Sequence, residues 1–227
     1  LAKIDGELTP VYPKEDRMTF IKRLADTLFK DVNITGNTII NNRLSGIYGN
    51  NATTTIAANT ISDNGHQGIE IRNSSTATIE NNTAISNNGG DGIFVRDSTA
   101  TITNNPITDN GEYGIYATES MLSITNNTIT GHSAYGAIWL DGNSFLNSTV
   151  SGNTISGNGY DFILISGTLS ENATWASSYG TYVVENLTVA AGATLTIDAG
   201  VVVKFAASGG ITVDGTLVAD AGAGPRG

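Results

Sequence analysis

The chain has 227 residues, a formal net charge of -10 and a pI near 4.4, a balance that excludes nucleic acid or an anionic membrane as the main partner because a basic patch is missing. It contains no Cys, which excludes disulfides, thiol catalysis and Cys-ligated metals. No apolar run approaches the roughly 18 residues that span a bilayer, so membrane insertion is not expected.

Basic residues concentrate at the start, where Lys3, Lys14, Arg17, Lys22, Arg23 and Lys30 fall within residues 1–30, leaving the rest strongly acidic. Within 15–30, Met18, Ile21, Leu24, Ala25 and Leu28 recur at three- and four-residue steps with acids in the first turn, which predicts a short amphipathic helix. A solenoid exposes its core and unpaired strand edges at its first coil. The helix is therefore expected to be an N-terminal cap, with docking to a partner as the alternative.

From about Asp31 to Ser166 one phrase recurs, I-x-x-N-T-I-x-x-N-G-x-x-G-I-x-[IVA]. Its first Asn falls at Asn37, Asn59, Asn82, Asn105, Asn127 and Asn153, in steps of 22, 23, 23, 22 and 26. The second falls at Asn42, Asn64, Asn88, Asn110 and Asn158, with His132 in the fifth slot. A period near 22 residues means stacked units that cannot bury their apolar faces singly. Short Ile clusters separated by Asn and Gly read as strands and turns, and the L-x-x-L-x-L of a leucine-rich repeat is missing. The fold class is all-β, a right-handed parallel β-helix with three strands per coil and about 22 residues per coil. The repeated Asn residues are expected to form two hydrogen-bonded ladders, with His132 a tolerated substitution.

Residues 78–95, TIENNTAISNNGGDGIFV, resemble the right-handed parallel β-helix proteins with NosD-type or pectate-lyase-type repeats. That group includes polysaccharide lyases, hydrolases and epimerases, periplasmic proteins linked to copper-enzyme maturation, phage tailspikes and surface proteins. The resemblance implies the fold and leaves the activity open.

Residues 181–219 alternate apolar residues with Gly-punctuated turns but lack the Asn phrase. They resemble the block that commonly precedes a β-helix in large secreted surface proteins. The division expected is 1–30 as N-terminal segment, 31–166 as β-helix repeats, and 167–227 as either degenerate coils or the start of a second β-helix, with Ser166–Ser178 as the seam. The chain is expected to be part of a longer protein or assembly, extracellular or on the cell surface, with the periplasm as an alternative. Eight N-x-[ST] sequons, at Asn33, Asn51, Asn73, Asn81, Asn126, Asn147, Asn172 and Asn186, are what an Asn- and Thr-rich chain yields by chance.

Strand alternation locates two outward faces. With Ile69 and Ile71 inward, Glu70 points out, and the equivalent positions are Tyr48, Phe94, Tyr116, Trp139 and Leu164. This mostly aromatic stripe, with Arg72, Arg96 and Asp141 beside it and Tyr113, Tyr135 and Tyr160 at its corner, suits a polysaccharide or surface glycan. The second face carries T-x-T ranks at Thr53 and Thr55, Thr76 and Thr78, and Thr99 and Thr101, which resemble those of ice-binding proteins.

A glycosidase needs two carboxylates roughly 5–10 Å apart across a groove. Glu70, Asp97, Glu119 and Asp141 are spread one per coil without a pair, so no catalytic residue is assigned. Gly89-Gly90-Asp91-Gly92 has the character of a Ca2+-binding roll; otherwise no metal or cofactor is expected. The functional expectation is a non-catalytic module displaying a binding face for a glycan or for adhesion. Its alternatives are a polysaccharide-acting enzyme and a structural or ice-binding solenoid.

Overall fold

The structure is a computed structural model that describes residues 31–146, 148–175 and 181–219. The chain winds as a parallel β-solenoid in which each strand pairs with its equivalent one coil on. The first sheet stacks Asp31–Thr35, Thr53–Ala57, Thr76–Glu80, Thr99–Thr103, Met121–Thr125 and Thr149–Ser151. The second stacks the three-residue strands Thr38–Ile40, Thr60–Ser62, Ala84–Ser86, Pro106–Thr108, Thr128–Thr130 and Thr154–Ser156.

The third sheet has eight strands and runs the whole length: Ile47–Asn50, Ile69–Arg72, Ile93–Arg96, Ile115–Thr118, Gly136–Asp141, Tyr160–Leu169, Thr181–Val189 and Val202–Val213. Residues after 180 thus extend the same sheet. A small fourth sheet, Ala173–Trp175, Thr194–Ile197 and Thr216–Ala219, closes the last coils. The capping helix expected over 15–30 lies outside the described residues. Among those residues the helix is one short turn, Gly142–Leu146.

Each of the three main sheets has one inward column made of isoleucine. Ile56, Ile79, Ile102 and Ile124 fill it on the first sheet, Ile61, Ile85, Ile107 and Ile129 on the second, and Ile69, Ile93, Ile115 and Ile138 on the third, all fully buried. β-Branched side chains are stiff and stack well on a pleated surface, so in-register copies make a continuous core. A second cluster around Trp175, Tyr182 and Val184 fills the C-terminal coils, and Phe145 packs against both.

The corners account for the abundance of Asn. At the first, each Asn side chain reaches the next coil: Asn82 Nδ2 donates to Asn105 Oδ1 at 2.9 Å and to Ile56 O at 3.0 Å, while Asn82 N donates to the same Oδ1 at 3.1 Å. The second corner repeats the scheme from Asn42 through Asn110. The residue just before each ladder position has a left-handed backbone, with φ of 50° at Asn81, 54° at Asn104 and 54° at Asn87. Asn tolerates that region better than other residues with a Cβ. Pairs such as Asn81-Asn82 therefore combine two roles, one for backbone geometry and one for hydrogen bonding.

Two features of these corners are absent from the repeat phrase. A third ladder is built of serine: Ala52 N, Ser75 N, Ser98 N and Ser120 N each donate to the hydroxyl one coil on, at Ser75, Ser98, Ser120 and Ser144, over 2.9–3.3 Å. The second Asn ladder is closed from inside its own coil, where Asp161 accepts from Asn158 N at 2.8 Å and Asn158 Nδ2 at 2.9 Å. Asp161 takes the role that the next coil's Asn would have. The repeat Gly is fixed by close approach, since a Cβ at Gly92 would lie 2.7 Å from Gly114 O.

Candidate functional site

The outward column of the third sheet is in register from Tyr48 through Glu70, Phe94, Tyr116 and Trp139. Leu164 is next in the column but only 2 % exposed, so the exposed stripe ends at Trp139. In-register stacking has a consequence that alternation alone does not reveal. Phe94 and Tyr116 lie face to face at 5.5 Å and 9°, and Tyr116 and Trp139 at 4.3 Å and 4°. The Arg72 guanidinium covers the other face of Phe94 at 4.4 Å, a favourable cation–π contact.

Both faces of Tyr116 are therefore taken by neighbouring rings, and the stripe offers ring edges and polar tips. Flatter aromatic surface comes from the adjoining corner: Tyr113 packs at 5.7 Å from Tyr116 and 5.1 Å from Tyr135, and Tyr135 is 41 % exposed. Burial raises the pKa of the Tyr113 and Tyr116 phenols above the usual value, with nearby carboxylates adding to it. Both remain neutral donors at physiological pH.

At the N-terminal end of the stripe the chemistry is charged. Glu70, with its side chain 13 % exposed, accepts from Arg72 Nε at 2.5 Å and from Ser45 Oγ at 2.6 Å. Arg72 is in register with Arg96 on the next strand. Tyr48, Glu70, Arg72, Asn73, Arg96, Asp97 and Glu119 line one shallow depression beside the Phe94 ring. At the opposite end Asp141 is occupied structurally, accepting from Glu119 N at 3.1 Å and Ser144 N at 2.6 Å, so it holds the helical turn. Trp139 Nε1 points at Glu185 Oε2, 3.5 Å away.

A family model for the right-handed β-helix region matches residues 27–155 and, overlapping it, residues 85–224. The chain belongs to the right-handed β-helix family. No curated protein and no solved structure matches it. For a right-handed β-helix protein the outward positions, set free from core packing, are the ones available for a specific role.

Asp91 belongs to this site, although the sequence marked it only through Gly89-Gly90-Asp91-Gly92. It is 3 % exposed, accepts from Tyr113 N at 3.0 Å, and burial raises its pKa to about 7 with Glu112 and Glu70 adding to the shift. Hydrogen bonds from Tyr113 and Gln67 act the other way. Among the described residues no group of three or more His, Cys, Asp or Glu is placed to hold a metal ion, and no helix is long and apolar enough to cross a membrane.

The threonine ranks of the first sheet are in register, Thr53 with Thr76 and Thr99, and Thr55 with Thr78 and Thr101, before Met121 and Ser123 continue the columns. Thr101, Thr53 and Thr76 are exposed, and Thr55, Thr78 and Thr99 half-buried. The second sheet has a comparable face, with the columns Thr38–Thr60–Ala84–Pro106–Thr128–Thr154 and Ile40–Ser62–Ser86–Thr108–Thr130–Ser156 on either side of the inward Ile row. Its signal was the T-I-[ST] triplet after each ladder Asn.

Proposed function

We propose that this chain is a non-catalytic, extracellular or surface-exposed binding module whose third sheet holds a glycan. The observation that carries the reading is the arrangement at the N-terminal end of the stripe. There Arg72 is fixed by both Glu70 and the Phe94 ring, beside the depression that also exposes Arg96. Glycan hydroxyls need donors and acceptors held in place, and side chains ordered before binding lose little entropy on contact. The ring column supports the site by locking four side chains in one arrangement, while the exposed ring of Tyr135 supplies the apolar contact.

A glycan array probed with the whole chain and with Tyr116→Ala and Trp139→Ala tests the proposal. Loss of capture in either variant is expected. Equal capture by both would remove the stripe from consideration.

Asp91 favours a second reading, a polysaccharide-acting enzyme, because a carboxyl titrating near 7 is able to donate a proton at neutral pH. New reducing ends or unsaturated products from acidic polysaccharides, abolished in Asp91→Asn, would establish that reading. A turnover-free outcome leaves the binding module.

A further inference from the structure

Resting on the reading of this face as a glycan site, we propose that the depression takes the oxyanion of an acidic sugar at Arg72 and Arg96, while neutral sugar residues run on toward Trp139. The described residues carry few cations: Arg43, Arg72, Arg96 and Lys204 are the Lys and Arg of 31–219. Two of the four stand directly opposite each other on neighbouring strands, an arrangement that like-charge repulsion disfavours. Only Arg72 has an ion-pair partner among the described residues. Glu70 engages its Nε, and the stacking on Phe94 holds the guanidinium plane fixed.

The remaining donors of Arg72 and the guanidinium of Arg96 both line the depression, and the fork of N–H donors on a guanidinium matches a planar carboxylate or a sulfate. An anion bridging the two would also relieve their mutual repulsion. The far end of the stripe has the opposite character. Trp139 lies between Asp141 on its own strand and Glu185, whose carboxylate faces the indole N–H. Asp97 and Glu119 line the corner side of the depression. A uniformly anionic polymer would meet repulsion over most of the stripe, whereas a single acidic residue followed by neutral ones meets attraction at one end and hydroxyl-accepting carboxylates elsewhere. The face is therefore directional: it distinguishes the acidic end of a mixed oligosaccharide from its neutral end.

The test is an array of neutral oligosaccharides, the same backbones carrying one terminal uronate or one sulfate, and fully uronate oligomers, probed with the native chain, Arg96→Gln and Arg96→Lys. Singly acidic glycans are expected to bind at least tenfold more tightly than their neutral parents, with full uronates gaining nothing further. Arg96→Gln should lose that tenfold preference for the acidic glycan over its neutral parent; Arg96→Lys should retain part of it. Uronate against sulfate arms separate the two anions. Equal binding of neutral and acidic glycans, or acidic binding kept in Arg96→Gln, overturns the inference while leaving the glycan site standing. Capture of none of the glycans overturns both.

Discussion

The Nδ1 atom of His132 lies 2.8 Å from Oδ1 of Asn158, and its Nε2 lies 3.2 Å from Nδ2 of Asn110. A neutral imidazole carrying its proton on Nδ1 thus reproduces the amide of a ladder Asn, accepting from the coil before and donating to the coil after. Protonation would turn Nε2 into a second donor facing the Asn110 amide.

Burial lowers the pKa of His132 below its ordinary 6.5, so the unfolded chain binds this proton more readily than the folded one. The resulting stability is complete above about pH 6.5 and is lost as pH falls below it toward the depressed folded value. His132→Asn should keep the neutral-pH stability within about 1 kcal/mol, the size of one exchanged hydrogen bond, and abolish the loss attributable to this group. Urea midpoints of both proteins between pH 4 and 8 check this; parallel curves would refute it.

Asp91 has the opposite sign. Its folded pKa, about 7, stands above the ordinary 3.8, so its neutral form is favoured on folding. The benefit is full below about pH 4 and disappears as pH rises to 7, after which a buried carboxylate remains. Asp91→Asn keeps an acceptor for Tyr113 N and should raise stability above pH 7 by at most about 4 kcal/mol, from the rise from 3.8 to about 7 at about 1.4 kcal/mol per pH unit. Little change is expected at pH 4. A variant less stable than the native chain at pH 8 would contradict this account.

Ala58 occupies the left-handed position at the first corner, with φ of 55°, where Gly36 and Asn81 stand one coil away on either side. An Ala there carries strain of about 1 kcal/mol. Ala58→Asn should raise the melting temperature by about 2–4 °C for a chain of this size. An unchanged or lower value in calorimetry would show that the corner absorbs the strain.

The two ladder chemistries should differ in cost. Asn105→Ala would leave Asn82 N without its acceptor in the interior and would strip one hydrogen bond each from Asn82 Nδ2, Ile79 O and Asn127 Oδ1, costing about 3 kcal/mol or more. Ser98→Ala leaves Ser75 N without its partner and should cost about 1–2 kcal/mol. Denaturant unfolding of both variants measures the difference, and equal losses would mean that the Asn amides carry no more than a single bond each.

The Asn, Gly and Ile of the repeat made the coil length, the three strands and the two Asn ladders legible, because each reports a backbone requirement that recurs every 22 residues. The Ser ladder escaped notice because Ser75, Ser98, Ser120 and Ser144 fall outside the phrase, in a corner where the sequence varies. Glu70, Arg72, Phe94, Arg96, Tyr116 and Trp139 were placed on one face by alternation alone. Alternation gives a side chain's direction but not its partner, and so it did not show that Asp141 holds a turn or that Asp91 lies buried behind Tyr113.

By itself the sequence determined the solenoid and the identity of its outward columns, since a fixed period in a parallel stack leaves one register that keeps Ile inside. Only the tertiary structure decided what those columns do to each other. Strands one coil apart hold their side chains close enough for rings to pair, so an apparent row of open aromatic faces became a closed stack. At its end Arg72 and Arg96 stand in register on neighbouring strands, and the Arg72 guanidinium lies over the Phe94 ring.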